Sequence, residues 1–229
     1  MSAASNPSAE KKSLLKQTLL FWFLTMLAIR LFHELRRISF FNDNISLFTG
    51  IILIYAPVIL LMIKKEKLTF FEGSWGQLGR SLFWFLIAAV LIFPPLEVLN
   101  RYFQDYVFHV HYVGGNYNNL AQYALFQFLM VAIPEEFFYR GYLQPQFNKI
   151  WGKPYRFLGV ELGFGFIFTC FIFALSHSLI TFQWWHFAIF FPSLVFSWLR
   201  EKTGAITAGA LFHALSNIYS YWVILNYHR

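Results

Sequence analysis

Charge is scarce in this sequence: Asp, Glu, Lys and Arg make up 13% of it, against about 25% in soluble domains. That shortage excludes an ordinary water-facing surface. Cysteine is nearly missing as well. Cys170 stands alone in the apolar run Phe168 to Phe173, which excludes a disulfide framework or a cysteine-based metal site. It reads as a small buried apolar side chain. Internal repeats and low-complexity linkers are also lacking, so nothing divides the chain into separate domains.

Apolar side chains are what the sequence has instead. It is 58% hydrophobic and 22% aromatic, with thirty Phe and eight Trp, and its mean hydropathy is +0.50. One water-soluble core cannot hide that many rings. A bilayer removes the difficulty, because the outside of a helix bundle there is as apolar as its inside. Seven apolar stretches stand out, at Leu14–Phe32, Ser46–Ile63, Ser81–Val98, Leu120–Phe138, Phe157–Ser178, Trp184–Leu199 and Ala205–Leu225. At ~20 residues per span, these predict an all-α polytopic transmembrane bundle of about seven (six to eight) spans. Trp184–Leu199 is short and is expected to tilt or re-enter. The expected organisation is a disordered tail over 1–13 and a single transmembrane domain over 14–229.

The net charge of +7 does not indicate nucleic acid. Its cations sit in short clusters between apolar runs, where the partner they suit is the lipid bilayer. With the N-terminus cytoplasmic, that side collects Lys11, Lys12, Lys16, Lys64, Lys65, Lys67, Arg80, Lys149, Lys153, Arg156, Arg200 and Lys202. The other side receives Arg30, Arg36, Arg37, Arg101 and Arg229. The positive-inside rule therefore favours N-in. No small-residue cleavage site follows the first apolar run, so that run is expected to remain as a span.

Ionisable side chains inside spans are the informative anomaly, since each costs ~2.5–3.5 kcal/mol at a helix centre and marks a functional site by default. Met130–Arg140 reads Met-Val-Ala-Ile-Pro-Glu-Glu-Phe-Phe-Tyr-Arg. Glu136 and Arg140 are i,i+4 neighbours and can pair. Glu135 points about 100° away and is left as a free base. Pro134 is expected to kink the helix or release a carbonyl. Phe173-Ala-Leu-Ser-His177 ends the fifth stretch in a histidine, and His213-Ala-Leu-Ser-Asn217 puts an imidazole and an amide on one face of the last. A water between Glu135 and His177 could be deprotonated and aimed at a peptide carbonyl, with His213 and Asn217 donating to the oxyanion.

Other polar residues carry less. His109 and His111 fall in the connection Leu99–Asn119, and His186 sits beside Trp184 and Trp185 as part of an interfacial aromatic belt. His33-Glu lacks the second histidine of a zinc-protease helix. Ser176 and Ser216 are not in a Gly-x-Ser-x-Gly setting, so a serine mechanism is a distant second.

Three ordered motifs, Glu135-Glu136-x-x-x-Arg140, Phe173-x-x-x-His177 and His213-x-x-x-Asn217, resemble those of the CPBP family, the CAAX-protease and bacteriocin-processing group that includes prenyl-protein endopeptidases. The resemblance covers the C-terminal half, a protease-like core over 120–225. It implies a glutamic-type intramembrane endopeptidase acting on a membrane protein or peptide, in a prokaryotic inner (cytoplasmic) membrane. It further implies Glu135 and His177 as the water-activating pair, His213 and Asn217 as the oxyanion hole, and Glu136, Arg140 and Phe173 as the residues that shape the site. No cofactor is expected. Zinc held by Glu135, His177 and His213 is the minority alternative. A different class of reading is a non-catalytic membrane protein of the same fold, in bacteriocin immunity or complex organisation; a proton-relay transporter is a third. One conflict remains at this level: counting rise per residue puts His177 too near the outer face to meet Glu135 and His213, unless the fifth span starts after Phe157 or the helices are irregular.

Overall fold

A computed structural model describes residues 7–227. Seven long helices follow the seven apolar stretches in order. They are α1 (Pro7–Glu34), α2 (Ile45–Lys64), α3 (Trp75–Tyr102), α4 (120–151), α5 (Phe164–Thr181), α6 (Phe190–Thr203) and α7 (Thr207–Asn226). Four helical segments among the described residues are long and apolar enough to cross a membrane: Pro7–Arg37, Ile45–Lys64, Trp75–Val107 and Phe164–Thr181. The others fall short for physical reasons. Helix α6 has 14 residues, α4 is interrupted, and α7 carries His213, Ser216, Asn217 and Ser220 on its length. Residues 7–13, expected in a disordered tail, form the first turns of α1; the rest of that tail, 1–6, lies outside the described residues.

Local sequence sets the helix ends. At the start of α3 the Ser74 hydroxyl accepts from the Gln77 amide, while the Gln77 side chain accepts from Gly73 N–H, a reciprocal cap on two orphan donors. Helix α6 stops at Gly204, whose φ of 80° suits a residue without Cβ.

The fifth apolar stretch begins later than expected. Residues 155–162 form a small antiparallel hairpin, β1 (Tyr155–Phe157) with β2 (Val160–Leu162), Tyr155 opposite Leu162. Leu158 and Gly159 both have positive φ, the geometry of a two-residue hairpin turn. Helix α5 therefore starts at Phe164.

Helix α4 is irregular along its length. Two segments, Gln127–Ala132 and Phe137–Leu143, are wound as π-helix, with α-helical Ile133–Glu136 between them. Pro134 lacks an N–H and its ring crowds the carbonyl one turn back, which here is Met130 within the first wide segment. Helix α2 packs onto this joint through Gly50. A Cβ there would lie 3.2 Å from Pro134 Cγ and 3.5 Å from the Met130 carbonyl oxygen.

The 65–74 loop tucks beneath the α6–α7 turn. Ile206 N–H donates to the Phe70 carbonyl (2.8 Å), and Arg200 donates to that of Thr69 (2.6 Å). Phe70 also stacks on Phe137 at 3.9 Å. There it occupies the space a Cβ on Gly141 would need.

Candidate active site

Glu136 and Arg140 face each other across the start of the second wide segment of α4, Nη1 to Oε1 at 2.8 Å, both side chains 0% exposed. A buried pair is costly unless its remaining polar atoms are satisfied; Glu136 Oε2 finds no hydrogen-bond partner among the described residues, so the compensation comes from satisfying the guanidinium donors. Arg140 does this through α6: Nε donates to Ser197 Oγ (3.3 Å), and Nη2 to both the Ser193 hydroxyl (2.6 Å) and its carbonyl (3.2 Å). Its guanidinium lies 4.3 Å over the Phe173 ring, a cation–π contact favoured by desolvation.

His213 reaches the same carboxylate from α7, with Nδ1 3.1 Å from Glu136 Oε1. To donate to a carboxylate, Nδ1 must carry its proton. Phe196 stacks on the imidazole at 4.7 Å, nearly parallel. Gly209, one turn earlier, allows the approach, since a Cβ there would sit 3.1 Å from Glu136 Oε2.

His177 is oriented from its own helix. Nδ1 lies 2.9 Å from the Phe173 carbonyl. A carbonyl only accepts, so Nδ1 is the protonated nitrogen and the neutral ring presents a bare Nε2. Phe173 thus anchors three things at once: the Arg140 charge, the His177 backbone contact, and an edge-on packing with Tyr139 at 4.8 Å.

Glu135 stands between the two imidazoles. Its Oε2 is 3.6 Å from His177 Nε2 and 3.7 Å from His213 Nε2. That oxygen is buried without a hydrogen-bond partner in the protein. An orphaned carboxylate oxygen beside a bare ring nitrogen is a built acceptor pair, and one water can touch both at ordinary hydrogen-bond lengths of about 2.8 Å. A cavity of about 170 Å³ runs to the site, lined by Glu135, Tyr139, Ser176 and His177, and by residues of α1 and α2. It has room for a few waters.

The structure therefore brings together Glu135, Glu136, Arg140, Phe173, His177 and His213. Asn217 is one turn along α7 from His213, and its amide donates to Gln127 Oε1 at 2.9 Å. The depth conflict dissolves through the late start of α5 and the wide segments of α4. Among the described residues, no group of three or more His, Cys, Asp and Glu side chains is arranged to hold a metal ion.

Several residues were missed in the sequence. Ser193 and Ser197 hold Arg140; their i,i+4 spacing on α6 was a legible polar stripe. Gln127 partners Asn217. His186, read as part of an aromatic belt, lies 6.3 Å from the His177 ring, with Nδ1 2.9 Å from Thr181 Oγ1. His33 lines the cavity.

Residues 117–219, a little under half of the chain, match the family described as Type II CAAX prenyl endopeptidase Rce1-like. No curated protein and no solved structure matches. The matched stretch contains all three motifs and the residues that meet around Glu135 and Glu136, while the α1 and α2 lining of the cavity lies outside it; together with the apolar helices it marks an integral membrane protein. The stretch from 117 to 219 is thus similar to the Type II CAAX prenyl endopeptidase Rce1-like family, the CAAX-protease group that the three motifs resemble.

Proposed function

We propose that the chain is a glutamic-type intramembrane endopeptidase, hydrolysing a peptide bond of a membrane-associated or exported protein. The observation that carries this reading is the unpartnered Glu135 Oε2, 3.6 Å from His177 Nε2 and 3.7 Å from His213 Nε2.

A water held by Glu135 and His177 gives one proton to the Glu135 carboxylate as its oxygen attacks the carbonyl carbon. The carbonyl π electrons move onto oxygen. His213, with Nδ1–H on Glu136 and a second proton on Nε2, donates to the resulting oxyanion. Glu135 then passes its proton to the leaving amine as the C–N bond breaks. General-base catalysis of this kind contributes typically ~10²–10⁴-fold, and a preorganised oxyanion donor a similar amount. Glu136, Arg140 and Phe173 hold His213 and the helix in place. Asn217, through Gln127, steadies the outer half of α4 and has a second amide proton to offer the oxyanion. The mechanism uses no metal.

The test compares cell-envelope proteins from cells carrying the chain and cells carrying Glu135→Gln or His177→Ala. The expected result is a precursor that accumulates in both variants while each remains membrane-inserted at normal levels. Turnover should persist in the presence of a chelator. Wild-type processing by Glu135→Gln would sink the mechanism, and no accumulating protein in either variant would favour a non-catalytic role.

A further inference from the structure

The cavity that reaches Glu135 has a direction. His33 is at the C-terminal end of α1, Thr49 in the first turns of α2, and Ile180 and Thr181 at the C-terminal end of α5; all line it together with Glu135 and His177. These helix ends lie at one end of the bundle, because α1 and α2 are joined there through 35–44 and Arg30 Nη1 donates to the Ile180 carbonyl at 2.6 Å. Beyond Glu135 in the other direction the path is sealed: every residue of Phe137–Leu143 is buried.

That sealed end is also the cationic one. Lys64 meets Gln17 of α1 (2.9 Å), Lys149 meets Glu66 (2.8 Å) and Lys153 meets Glu201 (3.0 Å), with Arg200 on the Thr69 carbonyl and Arg80 on that of Lys202 at the same level. Such an excess of Lys and Arg marks the cytoplasmic end of a membrane bundle.

We infer that Glu135 is reached from the extracytoplasmic side. Its substrate is then a peptide segment exposed outside the membrane, belonging to an exported or membrane-anchored protein, and not the cytoplasmic tail of a lipidated one. This deepens the proposed hydrolysis and rests on it for the word substrate, while the direction of access stands on geometry and charge alone.

Thiol labelling reads that direction without any turnover. Cys170 is the sole native cysteine and is 0% exposed, so it contributes little background. Thr49→Cys is treated with a membrane-impermeant cationic thiol reagent in right-side-out and in inside-out vesicles, with Lys67→Cys as the reporter of the opposite end and His33→Cys as a second cavity position should Thr49→Cys fail to insert. The expected result is at least tenfold faster labelling of the cavity cysteine in right-side-out vesicles, and the reverse for Lys67→Cys. Labelling of the cavity cysteine only in inside-out vesicles overturns the inference. So does labelling in neither until the protein is unfolded in detergent. Expected labelling with an unaltered Glu135→Gln activity would instead remove the hydrolytic reading and leave the access route intact.

Discussion

Helices α3 and α4 are both built from aromatic and aliphatic residues, yet they live in different surroundings. In α3 the buried residues are Ser81 and Ala88, and Val90, Leu91 and Val98 are each about two-thirds exposed or more. In α4 all of Phe137–Leu143 is buried, an arginine included. Hydropathy therefore reports which solvent a helix tolerates and says little about where the core is. In a bilayer the most apolar helix is free to face outward. The polar residues are drawn inward, where each must find a partner.

The sharpest way to break this contrast is Arg140→Met. It leaves Glu136 buried with no guanidinium, and a cost of about 3–5 kcal/mol is expected for an uncompensated buried charge. Resistance to denaturing detergent should collapse; an unchanged midpoint would mean that α4 is not the packed element described here. Gly209→Ala comes next. Its Cβ would press on Glu136 Oε2 and on the Phe196 carbonyl oxygen 3.3 Å away, for roughly 1–3 kcal/mol of strain and a fall in processing. Wild-type stability and activity together would show that α7 has room to move off.

A smaller effect belongs to the cationic end. The Lys149 hydrogen bond holds the Glu66 carboxyl below its ordinary value of 4.5. A carboxyl so lowered stabilises the folded state fully above that ordinary value, and the contribution is lost as pH falls through the folded value. Both groups are partly exposed, so the loss below pH 4.5 should be well under ~1 kcal/mol. Lys149→Ala should abolish it, as read by denaturation midpoints between pH 3 and 6. Smallest of all is Val90→Ala on the lipid face of α3, expected within about 0.5 kcal/mol of the parent; a larger shift would place α3 in a packed interface.

Much of this was legible in the residues. The seven apolar stretches recur as seven helices because burial in lipid selects apolar runs directly. The Glu136–Arg140 pair followed from i,i+4 spacing, and the orientation of Glu135 away from it followed from the same period. What escaped was the hairpin, whose Phe157 and Leu158 look like the start of a span although Gly159 supplies a turn. The partners of polar residues escaped too. Nothing local in Ser193 or Ser197 says that an arginine 53 or 57 residues away will need them. The Asn217–Gln127 bond likewise joins residues 90 apart. Such pairings are decided by packing between helices, and the depth of His177 could be settled only once the irregular winding of α4 was seen.

That winding sets the phase between two partners on one helix. His213, Asn217 and Tyr221 form a single stripe on α7, facing Glu136, Gln127 and Tyr123 of α4, the last pair stacked at 4.1 Å. Between Gln127 and Glu136, a regular α-helix of 3.6 residues per turn would make about two and a half turns, setting them on opposite sides. The wide segment Gln127–Ala132 takes up about one residue's rotation, roughly 100° of that half turn, and so brings Gln127 round toward the same stripe. The extra residue in this stretch therefore works as a spacer in the gene as much as in the helix. Loss of one codon within 128–132 would keep every named site residue in the sequence, yet rotate the outer half of α4 by about 100° and part Gln127 from Asn217.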